Sequence, residues 1–122
     1  MIEVRDLHKS FCELEVLKGI TLDIRQGEVV SIVGARGAGK TTLLQIVGTL
    51  SLPDSGSVLI DGVAIEKLND KQLSQFRNDK IGFVFQFHHL LPEFTAFENV
   101  CMPGYIGKRD RVEVERKARE LI

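Results

Sequence analysis

The stretch VVSIVGARGAGKTT, residues 29–42, decides the fold of this 122-residue chain. Its first five residues, 29–33, are mostly apolar and predict a buried strand, while the apolar-periodic run at residues 42–47 predicts a helix. The residues between them match the pattern G-x-x-x-x-G-K-[ST], in which a glycine-rich loop joins a strand to a helix. This pattern in this context predicts a loop that binds the phosphates of a nucleoside triphosphate.

The residue types of the loop explain how it would hold phosphate. Glycine lets the backbone take positive φ, so successive N–H groups can point into one concavity that fits anionic oxygens. The helix start adds unpaired N–H groups and the positive end of the helix dipole. Lys40 is expected to reach the β- and γ-phosphates, and the Thr41 hydroxyl to ligate Mg²⁺. The predicted nucleotide-binding residues of the loop are Gly34, Ala35, Arg36, Gly37, Ala38, Gly39, Lys40, Thr41 and Thr42.

Composition and charge favour an ordinary globular protein. The chain is 43% hydrophobic and 27% charged, with 16 Lys and Arg against 17 Asp and Glu. A net charge of −1 gives no sequence-independent attraction to nucleic acid, so no nucleic-acid partner is expected. The sequence contains neither a spanning apolar run nor a signal peptide, and we therefore expect a cytoplasmic location. Cys12 and Cys101 belong to no C-x-x-C pair and are expected to be free thiols.

The order of predicted elements is β-rich at first and then mixed. Residues 81–85 are apolar on both faces, as is typical of a strand in a parallel sheet covered by helices, and this strand is predicted to be central. Asp61-Gly62 predicts a hairpin turn. The predicted strands are residues 2–7, 20–24, 29–33, 57–60 and 81–85, and the predicted helices are residues 42–47, 68–77, a helix entered from a loop within 93–102, and 111–122.

These residues resemble the ATP-binding cassette (ABC) ATPases, the nucleotide-binding subunits of ABC transporters, over nearly the whole chain. The resemblance implies an α/β fold: a P-loop NTPase core with an N-terminal antiparallel β subdomain, ending before the helical subdomain is complete. Residues 1–122 would form the N-terminal part of a single ABC ATPase domain. Its segments would be a β-rich entry and adenine side (1–33), the P-loop and its helix (34–48), a β subdomain and core strand (49–85), and the Q-loop with the start of the helical subdomain (86–122).

The resemblance also implies roles for residues outside the loop. Phe11 stands where the family has an aromatic side chain that stacks on adenine. Gln86 matches the Q-loop glutamine, which touches Mg²⁺ and the attacking water, so Lys40 and Gln86 would be catalytic and Thr41 and Gln86 would hold Mg²⁺. Arg36 departs from the small hydroxyl residue usual at its position, and its charge could strengthen phosphate binding or crowd the loop.

Within the family, residues 85–100 look most like the lipoprotein-releasing branch, which also includes macrolide-exporter and cell-division ATPases. This implies an energy-coupling subunit that hydrolyses ATP as a homodimer, held at the inner face of the cell membrane by an integral-membrane transporter subunit. Five of the seven Phe lie within residues 83–97. We expect four exposed apolar residues to line a groove for a short helix of that membrane subunit, although they could instead pack beneath the helical subdomain. They are Phe87, Leu90, Leu91 and Phe94.

Several motifs of the family have no match in the chain. The Leu-Ser-Gly-Gly-Gln signature, the Walker B aspartate with its catalytic glutamate, and the switch histidine would all follow Ile122. Asp61 has the form of a Walker B aspartate, but it lies in a hairpin and lacks an adjacent Glu. We therefore expect the 122 residues alone to hydrolyse ATP weakly or not at all. A non-transport ABC protein and a nucleotide-binding fragment without catalysis remain as alternative functions.

Overall fold

The computed structural model describes residues 1–35, 39–85, 87 and 89–122. The chain divides into two compact units, Met1–Leu73 and Ser74–Ile122, and the division falls inside a helix. The segments expected from the family resemblance stay predictions. The strands are β1 (Ile2–Phe11), β2 (Leu14–Ile24), β3 (Ser55–Ile60) and β4 (Val63–Ala64), and the helices are α1 (Lys40–Val47), α2 (Asp70–Lys80), α3 (Ala96–Ile106) and α4 (Arg111–Leu121), with a 3-10 helix at Ile65–Lys67.

The first unit is built on an antiparallel sheet with the strand order β2-β1-β3-β4. Strand β1 pairs with β2 from Ile2 opposite Ile24 to Phe11 opposite Leu14, so a tight turn at residues 12–13 joins them. β1 also pairs with β3, and β3 turns into β4 through Asp61 and Gly62, both at positive φ. The predicted β-rich start and the predicted hairpin are therefore confirmed, although β1 and β2 are longer than the sequence indicated.

The core of this unit lies where α1 and the 3-10 helix meet the sheet. Leu43 and Ile46, three residues apart on one face of α1, are buried. The sheet contributes fully buried apolar side chains, and the 3-10 helix adds one more. They are Val4, Leu7, Leu17, Val58 and Ile65. Because the buried face of α1 holds the helix in place, the residues at its N-terminus also have a fixed position.

The second unit is helical. Helix α3 begins with a capping box, in which the Thr95 side chain accepts from the Glu98 N–H and the Glu98 side chain accepts from the Thr95 N–H. The closest approach of α3 to α4 is at Gly104, where a Cβ would lie 2.6 Å from a Val114 methyl group. The Asn78 amide at the end of α2 donates to the Pro103 carbonyl of α3. The predicted helices at residues 68–77, 93–102 and 111–122 are confirmed as α2, α3 and α4.

Two predicted strands are wrong. Residues 28–35 and 81–85 form no strand, and Val29, Val33 and Val84 are almost fully solvent-exposed. A strand needs a neighbour to pair its backbone N–H and C=O groups, and the described residues place none beside either segment. The apolar pattern of residues 81–85 predicted a central strand, but these residues do not form one within the part of the chain that the structure describes.

No helix within the described ranges is long and apolar enough to cross a membrane. Both cysteines are free thiols as predicted, with Cys12 exposed and Cys101 buried in α3.

Candidate functional site

Gly39 sets the direction in which α1 begins. Its φ is +93°, in the left-handed region that favours glycine. A Cβ at this position would lie 2.9 Å from a Val16 methyl carbon and 3.1 Å from both a Leu17 methyl carbon and the Val16 carbonyl oxygen. The backbone at Gly39 therefore lies directly against β2, and the position of the α1 start depends on having no side chain there.

Lys40 and Gly34 are brought together across the loop. The Lys40 ammonium donates a hydrogen bond of 2.6 Å to the Gly34 carbonyl oxygen, six residues earlier in the chain. Thr41 is exposed in the first turn of α1, and Thr42 beside it is partly buried. The ammonium group and the Thr41 hydroxyl thus lie at the start of the same helix.

The N-terminus of α1 differs from those of α3 and α4. Within the described residues no side chain caps α1, and its first turn contains no acidic residue. In contrast, Thr95 caps α3, and Asp110 caps α4 by accepting from the Glu113 N–H. The first N–H groups of a helix need an acceptor, and an anion is a suitable one. The start of α1 is thus chemically suited to phosphate oxygens.

Phe11 lies in the same unit as the loop, at the end of β1. Its side chain is 50% exposed. It pairs with Leu14, and Val16 and Leu17, the residues against which Gly39 packs, follow two and three positions later on β2. At about 3.3 Å per residue this separates Phe11 from the start of α1 by roughly 7–10 Å along the strand. A nucleotide is long enough to place its base at one position and its phosphates at the other.

Lys9 contacts both Phe11 and Asp54, and the sequence did not reveal these contacts. The Lys9 ammonium lies 5.5 Å from the centroid of the Phe11 ring. It also lies 3.4 Å from a carboxylate oxygen of Asp54, which precedes β3. These partners are separated by 45 residues, so no local pattern could have indicated the pair.

Some predicted site residues lie outside the described residues. They are Arg36, Gly37 and Ala38 of the loop and Gln86 of the Q-loop. Their roles in binding phosphate, in binding Mg²⁺ and in catalysis stay predictions. Ala35 is exposed beside Gly34, and its role stays a prediction as well.

The second unit carries the predicted partner-binding residues on its surface. Phe87, Leu90, Leu91 and Phe94 are all exposed, and none of them lines the cavity of about 330 Å³ found between α3 and α4. The loop that carries two of them is fixed by Asn99 of α3. The Asn99 amide group donates to the carbonyls of Leu91, Phe94 and Thr95 and accepts from the Leu91 N–H. No sequence pattern indicated Asn99, whose hydrogen bonds fix the backbone at Leu91, Phe94 and Thr95.

Comparison with known proteins places the chain among nucleotide-binding cassettes. The family described as ABC transporter matches residues 17–122. The chain is 57% identical over 122 residues to the lipoprotein-releasing system ATP-binding protein LolD of Bacteroides thetaiotaomicron. It is 52% identical to the protein of that name from Geobacter metallireducens. All of this chain is covered in both matches, and it spans 56% of the length of each relative.

Solved structures agree with this result. The dimeric structure of MJ0796, described as a bacterial ABC transporter cassette, matches with a TM-score of 0.89 and 39% identity. The match covers 98% of this chain and 55% of that one. A post-hydrolysis state of MJ0796 bound to ADP and Pi matches with a TM-score of 0.86. The family model matches most of this chain, and the α/β fold follows that of a solved cassette. This chain therefore belongs to the ABC transporter family.

Proposed function

We propose that the chain is part of the ATP-binding, energy-coupling subunit of an ABC transporter of the lipoprotein-releasing type. The observation that carries the proposal is the start of α1, where uncapped N–H groups and the Lys40 ammonium lie together. The names of the LolD relatives and the ADP-bound MJ0796 cassette support it. The whole subunit would hydrolyse ATP, using positioning and charge stabilisation rather than covalent chemistry.

Each part of the site has a proposed task. The N–H groups at the start of α1 bind the phosphate oxygens, and the helix dipole favours their negative charge. Lys40 leaves the Gly34 carbonyl and pairs with the β- and γ-phosphates, exchanging a neutral acceptor for a charged one. Phe11 stacks on the adenine ring. Bound Mg²⁺ would neutralise phosphate charge, and the exposed Thr41 hydroxyl and the Gln86 side chain would ligate it.

Calorimetric titration with ATP and Mg²⁺ tests the phosphate site. Lys40→Ala removes a hydrogen bond to a charged group, which is worth about 1.5–3 kcal/mol, so affinity should fall roughly 10–150-fold. Lys71→Ala, at an exposed position on α2, is the matched control and should leave the affinity unchanged. Equal affinity for ATP in the Lys40→Ala protein and the unaltered chain would remove Lys40 from the site.

We propose that hydrolysis depends on a second subunit. In the family the signature of one subunit caps the P-loop of the other, and the MJ0796 cassette is dimeric. We therefore propose that the whole subunit works as a homodimer and that the 122 residues bind ATP without appreciable turnover. Phosphate release by the chain alone, at the rate of an intact subunit, would contradict this proposal.

We further propose that Phe87, Leu90, Leu91 and Phe94 form the docking patch for an integral-membrane subunit, which would hold the protein at the inner face of the cell membrane. Exposed apolar side chains mark interaction sites when they lie together. The hydrogen bonds from Asn99 support the proposal because a loop that is already ordered loses less entropy on binding. A short amphipathic helix of the membrane subunit suits such a patch.

Co-purification with the membrane subunit tests the docking patch. Leu91→Glu combined with Phe94→Glu should abolish co-purification while ATP affinity is retained, because the two substitutions place charges in an apolar contact. Val112→Glu, on an exposed position of α4, is the matched control and should co-purify normally. Retained co-purification of the double variant would refute the docking patch without affecting the phosphate site.

A further inference from the structure

We propose that Lys9, held by Asp54, is a positioning residue that prepares Phe11 to stack on a purine base. This inference rests on the proposed function, in which Phe11 contacts adenine. Lys9 and Phe11 are two residues apart on β1, and the Lys9 ammonium lies over the Phe11 ring. Lys9 is not a phosphate ligand in this proposal, and its ammonium group serves the aromatic ring.

The contacts of Lys9 place it on one face of the ring. Its Nζ lies 5.5 Å from the Phe11 centroid, within the range of a cation–π interaction. The Lys9 side chain is only 18% exposed, whereas Phe11 is 50% exposed. A cation therefore lies over one face of the ring, and half of the Phe11 side chain remains accessible to solvent.

Asp54 fixes the position of the cation. Its backbone N–H donates to the His8 carbonyl at 2.9 Å, and one of its carboxylate oxygens accepts from the Ser10 N–H at 2.7 Å. The other carboxylate oxygen lies 3.4 Å from the Lys9 ammonium. The Ser10 N–H, followed by Lys9, lowers the pKa of Asp54, so this carboxyl group stays charged at neutral pH. Lys9 is thus paired with Asp54, and hydrogen bonds to the backbone of His8 and Ser10 hold Asp54 in place.

A cation on the far face of a ring should improve stacking on the near face. The face of an aromatic ring is negative, so two stacked rings repel each other through their π-electrons. An ammonium group on one side draws electron density toward itself and weakens that repulsion on the other side. It also restricts the ring to one orientation, which lowers the ordering cost of binding.

Titrations with ATP and with inorganic tripolyphosphate separate this role from simple charge attraction. Lys9→Met keeps the aliphatic stem, removes the cation, and should lower ATP affinity about two- to fivefold, the size of an exposed cation–π interaction. Tripolyphosphate affinity should not change, because this ligand has no base. Lys9→Arg should restore ATP binding. Asp54→Asn, which still offers Ser10 an acceptor, should produce a smaller loss for ATP alone.

The controls make each outcome decisive. Lys67→Met, at an exposed position on the 3-10 helix, should affect neither ligand. Equal losses for ATP and tripolyphosphate in Lys9→Met would overturn the inference, since Lys9 would then act on phosphate, and so would no loss for either ligand. Phe11→Ala identifies a failure of the proposed function itself: unchanged ATP affinity in that variant would mean that Phe11 does not contact the base.

Discussion

Gly39 meets two requirements at once, a positive φ and an absence of space for a side chain. Its φ of +93° strains any residue with a Cβ, and a Cβ would lie 2.9 Å from a Val16 methyl carbon. We expect Gly39→Ala to lower the free energy of unfolding of the first unit by about 2–4 kcal/mol, from backbone strain and overpacking together. Urea unfolding followed by circular dichroism measures the change.

Gly27 provides the matched control for that substitution. Its φ is +79°, but a Cβ there would meet no heavy atom within 4 Å among the described residues. Gly27→Ala should therefore cost only the backbone term, about 1–2 kcal/mol. Equal destabilisation by the two substitutions would mean that packing of Gly39 against β2 contributes nothing.

His8 lies between two carboxylates and should make folding stability depend on pH. Its Nδ1 lies 3.1 Å from a Glu15 oxygen and its Nε2 lies 3.0 Å from an Asp6 oxygen, with Lys18 opposite it on β2 and Ser55 opposite it on β3. The hydrogen bond to Glu15, followed by that to Asp6, raises the pKa of His8. Both ring nitrogens can donate only in the imidazolium form.

The folded state therefore binds the His8 proton more tightly than the unfolded state. The stabilisation from His8 is complete below the unfolded pKa of about 6.5 and is lost as pH rises through the raised folded pKa. The urea midpoint of the unaltered protein should exceed that of His8→Gln by more at pH 5.5 than at pH 9. Glu15→Gln should weaken this pH dependence. A difference between the proteins that is the same at both pH values would contradict the assignment.

At the scale of elements, the helix starts divide into capped and uncapped ones. Thr95 and Glu98 satisfy each other's backbone N–H groups at the start of α3, with distances of 2.9 and 3.1 Å. Thr95→Ala should cost about 1 kcal/mol of stability in the second unit, whereas Thr95→Ser keeps the acceptor and should cost much less. Thermal unfolding of the two variants compares them, and equal midpoints would show that the cap is not stabilising.

Elements that depend on local sequence were predictable, and those that depend on distant pairing were not. The α1 helix and the Asp61-Gly62 turn follow from periodicity and turn chemistry, and both are confirmed. Residues 81–85 carry the apolar pattern of a strand, but a strand forms only beside another strand. The same distinction applies at the site, because the G-x-x-x-x-G-K-[ST] pattern is local, while Lys9 and Asp54 are 45 residues apart.

At the scale of the whole molecule, the unpaired segments should control how the chain behaves in solution. Val29 is 95% and Val33 is 87% exposed, in a segment without secondary structure whose backbone N–H and C=O groups could pair with another molecule. We expect concentration-dependent association, and Val33→Lys should reduce it by placing a charge in the segment. Light scattering over a concentration series measures the effect.

A substitution on a helix tests whether the unpaired segment, rather than exposed apolar surface in general, causes association. Val112 is exposed on α4, where the backbone N–H and C=O groups are paired within the helix. Val112→Lys should therefore leave association nearly unchanged. If it reduced association as much as Val33→Lys, strand pairing would not be the cause.

In the proposed function, backbone N–H groups at the start of α1 bind the phosphates of ATP. Nuclear magnetic resonance spectra of the ¹⁵N-labelled chain, recorded during addition of ATP and Mg²⁺, test this most directly. We predict that the amide signals of Gly39, Lys40 and Thr41 shift strongly, while those of Thr95 and Glu98 at the capped start of α3 stay in place. Unchanged signals at Gly39, Lys40 and Thr41 in the folded protein, at saturating ATP, would contradict phosphate binding at the start of α1.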